Sequence, residues 1–78
     1  MKKPAKLQVN TAGAWKDVCS FDVADATGTA IIMNAAHDIG YYANPAVGFR
    51  VVSVRDGYAT PLMSWAKDNG WTEWGAST

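Results

Sequence analysis

His37 and Cys19 are the only histidine and the only cysteine in the chain, so a thiol–imidazole pair is the nucleophilic chemistry this sequence could assemble. A cysteine becomes a nucleophile only beside a base, and a histidine works as a base only with a partner within hydrogen-bond reach. Nothing local ties these two together. Cys19 lies in an apolar extended run and reads as a small buried hydrophobe. His37 falls in a stretch of helical period near Met33, Asn34 and Tyr41, and reads as a solvated helix histidine. Its neighbour Asp38 points about 100° away around the helix axis. An enzyme using His37 and Cys19 is therefore the weakest reading, and no catalytic residue is assigned.

Metal and phosphate chemistry fare no better. The seven acids are scattered, without a paired motif such as Asp-x-Asp. Asp68-Asn69-Gly70 looks superficially like the start of a calcium loop, but the remaining oxygen ligands and the closing glutamate are missing at the required spacing. One cysteine excludes a cysteine-built zinc site and an internal disulfide. Thr27-Gly28-Thr29 precedes a helical segment without a following Lys-Ser or Lys-Thr step and without GxGxxG spacing. No metal and no cofactor is expected.

The aromatic residues say more. Four tryptophans stand in 78 residues, and three of them, Trp65, Trp71 and Trp74, fall near the C-terminus. A turn at Lys67-Asp68-Asn69-Gly70 would make Trp65 and Trp71 cross-strand neighbours, with at least one of them in the core. Trp74, three residues beyond Trp71, would then face the other way and be open to a partner. Tyr41 and Tyr42 are adjacent on a helix and cannot both face one core. The candidate partner-binding residues are thus Trp74, Tyr41, Tyr58, Arg50 and Arg55. Tryptophan, tyrosine and arginine are favoured interface anchors. Arg50, Arg55 and Lys67 with Tyr58 and the tryptophans also allow an aromatic-basic surface for single-stranded nucleic acid. That reading is the minority one, because Asp56, Asp68 and Glu73 dilute the field and no RNP-type run is present.

These side chains need elements to hold them. Lys6 to Asn10 alternates polar and apolar, as a strand with one buried face does. Thr11-Ala12-Gly13 turns the chain, and Trp15 to Phe21 reads as a second strand. Trp15, Cys19 and Phe21 fall on one face of it, with Val18 signalling a bulge or a partly covered second face. The period then changes. Asp22 or Asp25 can cap a helix, with Thr27 a rival, and Ile31, Ile32, Ala35, Ile39 and Tyr42 form an apolar stripe. The helix is predicted over residues 26–42, because Asn44-Pro45 forbids continuation. Gly48 to Val54 is rich in β-branched residues and reads as a strand. Asp56-Gly57 signals a hairpin returning through Tyr58 to Ala66, where Pro61 requires an edge or a bulge. Trp71 to Trp74 closes the set.

The expected fold class is α+β, with the order ββαβββ: a mainly antiparallel sheet of four to five strands and one helix packed on one face. One domain spans residues 1–78, with a mobile tail at 1–4 and frayed residues at 75–78. The hydrophobic fraction of 49% against 18% charged argues against disorder, and the formal net charge of zero gives no basic field to gather nucleic acid. The longest uncharged run, Ala26 to His37, is too short and polar to span a bilayer, and the N-terminal lysines precede no apolar core. A cytoplasmic location without membrane contact is expected.

The runs Phe49-Arg50-Val51-Val52, Leu62-Met63-Ser64-Trp65 and Gly70-Trp71-Thr72-Glu73-Trp74, with the opening Leu7-Gln8-Val9 and Trp15-Lys16-Asp17-Val18, look like a known pattern. The chain resembles small uncharacterised proteins encoded by bacteriophages and prophages. That resemblance covers roughly 60 of the residues, by hydrophobic motifs, and implies a phage or prophage origin and a strand-rich fold with one helix. It carries no catalytic residues. The expected function is a non-catalytic protein-binding module, a phage- or prophage-encoded modulator of a host or defence protein. Its partner is a host or phage protein. A chain this small buries little of its surface, so a homodimer through an apolar edge strand or through helix faces carrying Tyr41 or Tyr42 is also expected.

Overall fold

The computed structural model describes residues 3–11, 13–55 and 58–74. The elements are β1 (Pro4–Asn10), β2 (Trp15–Asp22), α1 (Ala26–Tyr42), β3 (Gly48–Arg55), β4 (Tyr58–Ala66) and β5 (Gly70–Glu73). The strands form one antiparallel sheet in the order β2-β1-β3-β4-β5, an α+β fold with its helix between β2 and β3. The strand β1 starts earlier than its alternation suggested. Lys3 and Pro4, expected in a mobile tail, are tied down, because the Val23 amide donates to the Lys3 carbonyl at 3.0 Å and the Lys3 amide to Asp22 at 2.9 Å. Met1, Lys2 and residues 75–78 lie outside the described residues, as do Asp56 and Gly57. The β3–β4 pairing ends at Arg55–Tyr58.

Local chemistry explains the boundaries. Asp25 caps α1 by accepting from the Gly28 amide at 3.1 Å. Asp22, the rival cap, instead accepts the Ala24 amide at 2.9 Å and shapes the entry turn. Gly70 closes the β4–β5 turn at φ +69, a left-handed value that glycine adopts without a Cβ penalty. Pro61 sits at a bulge, because the β3–β4 register slips there and leaves Leu62 unpaired between Pro61 and Met63. It also lies beyond the reach of β5, whose pairing with β4 runs only from Met63 to Ala66. The missing N–H therefore costs the ladder little.

The core lies between the helix and one face of the sheet, and consists of Ala5, Leu7, Ala36, Phe49, Val51 and Trp65. Trp65 is 2% exposed and is the cross-strand neighbour of Trp71, as the turn composition predicted. Both indoles reach up to the helix. Trp65 Nε1 donates to His37 Nδ1 at 2.9 Å, and Trp71 Nε1 donates to the Met33 carbonyl at 2.9 Å. A buried indole N–H needs an acceptor, so these two bonds fix the helix over β4 and β5. His37 is thus no merely solvated histidine. It remains exposed on one side, but its Nδ1 is engaged and its ring meets Trp65 edge-on at 5.6 Å.

The inward face of α1 is turned away from most of its hydrophobic stripe, of which only Ile32 faces the core. Ala36 and Gly40 are buried, with Ile32 and Met33 packed beside them. Ile31 and Ile39 are 63% and 61% exposed, and Ala35 and Tyr42 are exposed with them. The reason is volume. The sheet supplies the large rings Trp65, Phe49 and Trp71, and the helix can settle onto them only through small residues. A Cβ on Gly40 would overlap the Trp65 ring.

Cys19, expected in the core, is exposed. It pairs with Leu7 on the helix side of β2, an edge strand with a neighbour on one side only. Among the described residues, no helix is long and apolar enough to cross a membrane.

Candidate binding face: an arginine between two tryptophans

Strand alternation sends Ala5, Leu7, Phe49 and Val51 toward the helix, and so sends Lys6, Gln8, Arg50 and Val52 to the other face of the sheet. A bulge at Val18 decides what β2 adds to that face. The register slips between Leu7–Cys19 and Gln8–Asp17, so Asp17 and Trp15 join Gln8 while Cys19 and Phe21 stay on the helix side. Trp15 was expected to share a face with Cys19 and Phe21; the bulge separates them.

A hydrogen-bonded row crosses this open face. Lys6 Nζ donates to Asp17 Oδ2 at 3.0 Å, and Gln8 Nε2 donates to Asp17 Oδ1 at 2.8 Å. Arg50 Nε donates to Gln8 Oε1 at 2.7 Å. The Asp17 carboxyl is held below its ordinary value of 3.8, first by the Gln8 bond, then by the bond and charge of Lys6, with desolvation opposing. The row anchors the guanidinium of Arg50, whose Cζ lies 4.3 Å from the Trp15 ring centroid and 5.8 Å from that of Trp74. A cation over an indole face is attracted by the ring quadrupole, by about 0.5–1 kcal/mol at an exposed site. Trp74 is 46% exposed and its amide donates to the Leu62 carbonyl at 3.0 Å, which fixes the chain just past β5 beside Arg50.

The polarity of the face is one-sided. Both Asp17 oxygens and the Gln8 oxygen already accept bonds. Among the described residues, the terminal guanidinium nitrogens of Arg50 and the indole N–H groups of Trp15 and Trp74 have no acceptor. Each acceptor of the row already carries a bond, while these donors are left without one.

Of the five expected contact residues, the structure brings together Arg50 and Trp74 and separates the rest. Tyr41 lies on the helix side, stacked 6.1 Å from His37, with Lys67 Nζ 5.2 Å from its centroid. Arg55 and Tyr58 pair at the hairpin end of β3 and β4. The single aromatic-basic surface expected from Arg50, Arg55 and Lys67 is therefore split over three places. Sequence reasoning missed Trp15, Gln8 and Asp17. The alternation Lys6-Gln8-Asn10 did mark a polar face, but only the bulge at Val18 turns Trp15 and Asp17 onto it.

A shallow cleft of about 480 Å³ lies near the other end of the sheet, lined in part by Lys3, Val23, Ser53, Arg55 and Thr60. Among the described residues, no three His, Cys, Asp or Glu side chains come together to hold a metal ion. No protein-family model, no curated protein and no solved structure matches the chain.

Proposed function

We propose that this protein is a non-catalytic protein-binding module that engages its partner with the helix-free face of the sheet. The observation that carries the reading is the placement of Arg50 between Trp15 and Trp74, anchored from behind by Gln8. Tryptophan and arginine dominate binding energy where they sit centrally on an interface, and these three stand on β2, on β3 and just past β5 of a rigid sheet. The non-catalytic part of the reading is supported by His37, whose Nδ1 is engaged by an indole. A host or defence protein, the partner class expected from the sequence, is the first to test.

The test is selection of a displayed random-peptide library on the immobilised protein, with the double variant Trp15→Ala/Trp74→Ala as the counter-target. Clones that bind the parent and ignore the variant are the expected result. Clones that bind both equally, or no enrichment at all, would sink the proposal.

A further inference from the structure

Resting on that reading of the open face, we propose that Arg50 is a carboxylate-binding subsite and that the partner is an acidic protein segment. An aspartate or glutamate of the partner is received by the outward nitrogens of the guanidinium, between the rings of Trp15 and Trp74.

Three observations carry this. The guanidinium is already oriented, by one bond to Gln8 at 2.7 Å and by the flanking rings at 4.3 and 5.8 Å, so little freedom is lost on binding. Its remaining donors form the planar fork that matches a carboxylate with two parallel bonds. The Asp17 carboxylate oxygens and the Gln8 oxygen each already accept a bond, from Lys6, Gln8 and Arg50, and neither terminal nitrogen of Arg50 is bonded to them. The adjoining indole N–H groups add two donors, so an acceptor-rich group fits and a second cation does not. The charge count separates a protein segment from a nucleic acid strand. Lys6 is neutralised by Asp17 at 3.0 Å, which leaves Arg50 as the one cation of this row without a carboxylate partner. A nucleic acid strand is held by several phosphate contacts along a basic track. One cation beside two rings suits one acidic side chain in a mixed segment.

Titration calorimetry on the whole protein tests the inference with three probes: a capped peptide of alternating Glu and Ser, its Gln–Ser counterpart, and an oligothymidylate of equal charge. The acidic peptide is expected to bind at least about tenfold tighter than the amide peptide, the range of a charge-assisted pair of bonds. Arg50→Gln is expected to erase that preference, Arg50→Lys to restore only part of it, and Lys16→Gln, on the other side of β2, to leave it unchanged. Equal affinity for the two peptides, or a preference that survives in Arg50→Gln, overturns the inference. Tighter, steeply salt-dependent binding of the oligothymidylate replaces it with a nucleic-acid site. If selected peptides need Trp15 and Trp74 but carry no acidic residue, the carboxylate subsite falls while the protein-binding face stands.

Discussion

Replacing Gly40 by alanine sets two well-understood effects against each other, and the structure decides the sign. Gly40 lies in the last turn of α1. By helix propensity alone, alanine there should stabilise the protein by about 0.5–1 kcal/mol. The added Cβ, however, would overlap the Trp65 ring at Cζ3 and Cη2. The ring cannot yield easily. It is 2% exposed, its Nε1 is bound to His37, and it meets Phe49 edge-on at 6.0 Å. Relief must come from lifting the helix or tilting the indole. Overpacking of this kind costs about 1–3 kcal/mol, and loss of the indole–imidazole bond adds about 1 kcal/mol. The net expectation is destabilisation of about 1–3 kcal/mol. At about 4–8 °C per kcal/mol for a domain of this size, the midpoint should fall by about 4–24 °C. Thermal unfolding by far-ultraviolet circular dichroism, repeated in guanidinium with tryptophan fluorescence, measures it. Ala35→Gly on the outward face calibrates the propensity of this helix without touching the core. A Gly40→Ala protein that melts at or above the parent temperature would refute the claim that the helix rests on Trp65 through this glycine.

The two C-terminal tryptophans should separate cleanly. Trp65→Ala should cost about 3–5 kcal/mol and come close to unfolding a domain this small, while Trp74→Ala should leave the melting temperature within a few degrees and weaken partner binding. Ile39→Glu, on the outward helix face, should also melt within a few degrees of the parent. A large loss in calorimetry would restore the apolar stripe as the buried face. Asp17 should titrate below 3.8 by carboxyl NMR, and both Gln8→Leu and Lys6→Met should raise its midpoint, because each removes a bond that favours the carboxylate. Its folded value lies below its unfolded one. Its contribution to stability is therefore present above pH 3.8 and fades as the pH falls below it.

The order of elements and the class of fold were legible in the sequence because they rest on local chemistry. Alternation in Lys6–Asn10, β-branching in Gly48–Val54 and the Asn44-Pro45 stop act within a few residues and need no tertiary partner. The helix over Ala26–Tyr42 and the Trp65–Trp71 hairpin follow from the same local signals. What only the tertiary structure decided is which way the faces point. Hydropathy favours Ile31 and Ile39 as inward residues. The sheet's own rings fill the available volume, however, and only Ala36 and Gly40 are small enough to meet them. The make-up of the helix-free face depends likewise on one extra residue, Val18. Each strand position alternates sides, so a single inserted residue carries Trp15 and Asp17 onto the face of Gln8 and Arg50. Composition shows that a bulge is allowed there. Only the pairing of β2 with β1 fixes where it falls, because register is set by long-range hydrogen bonds and core packing rather than by any residue's own preference.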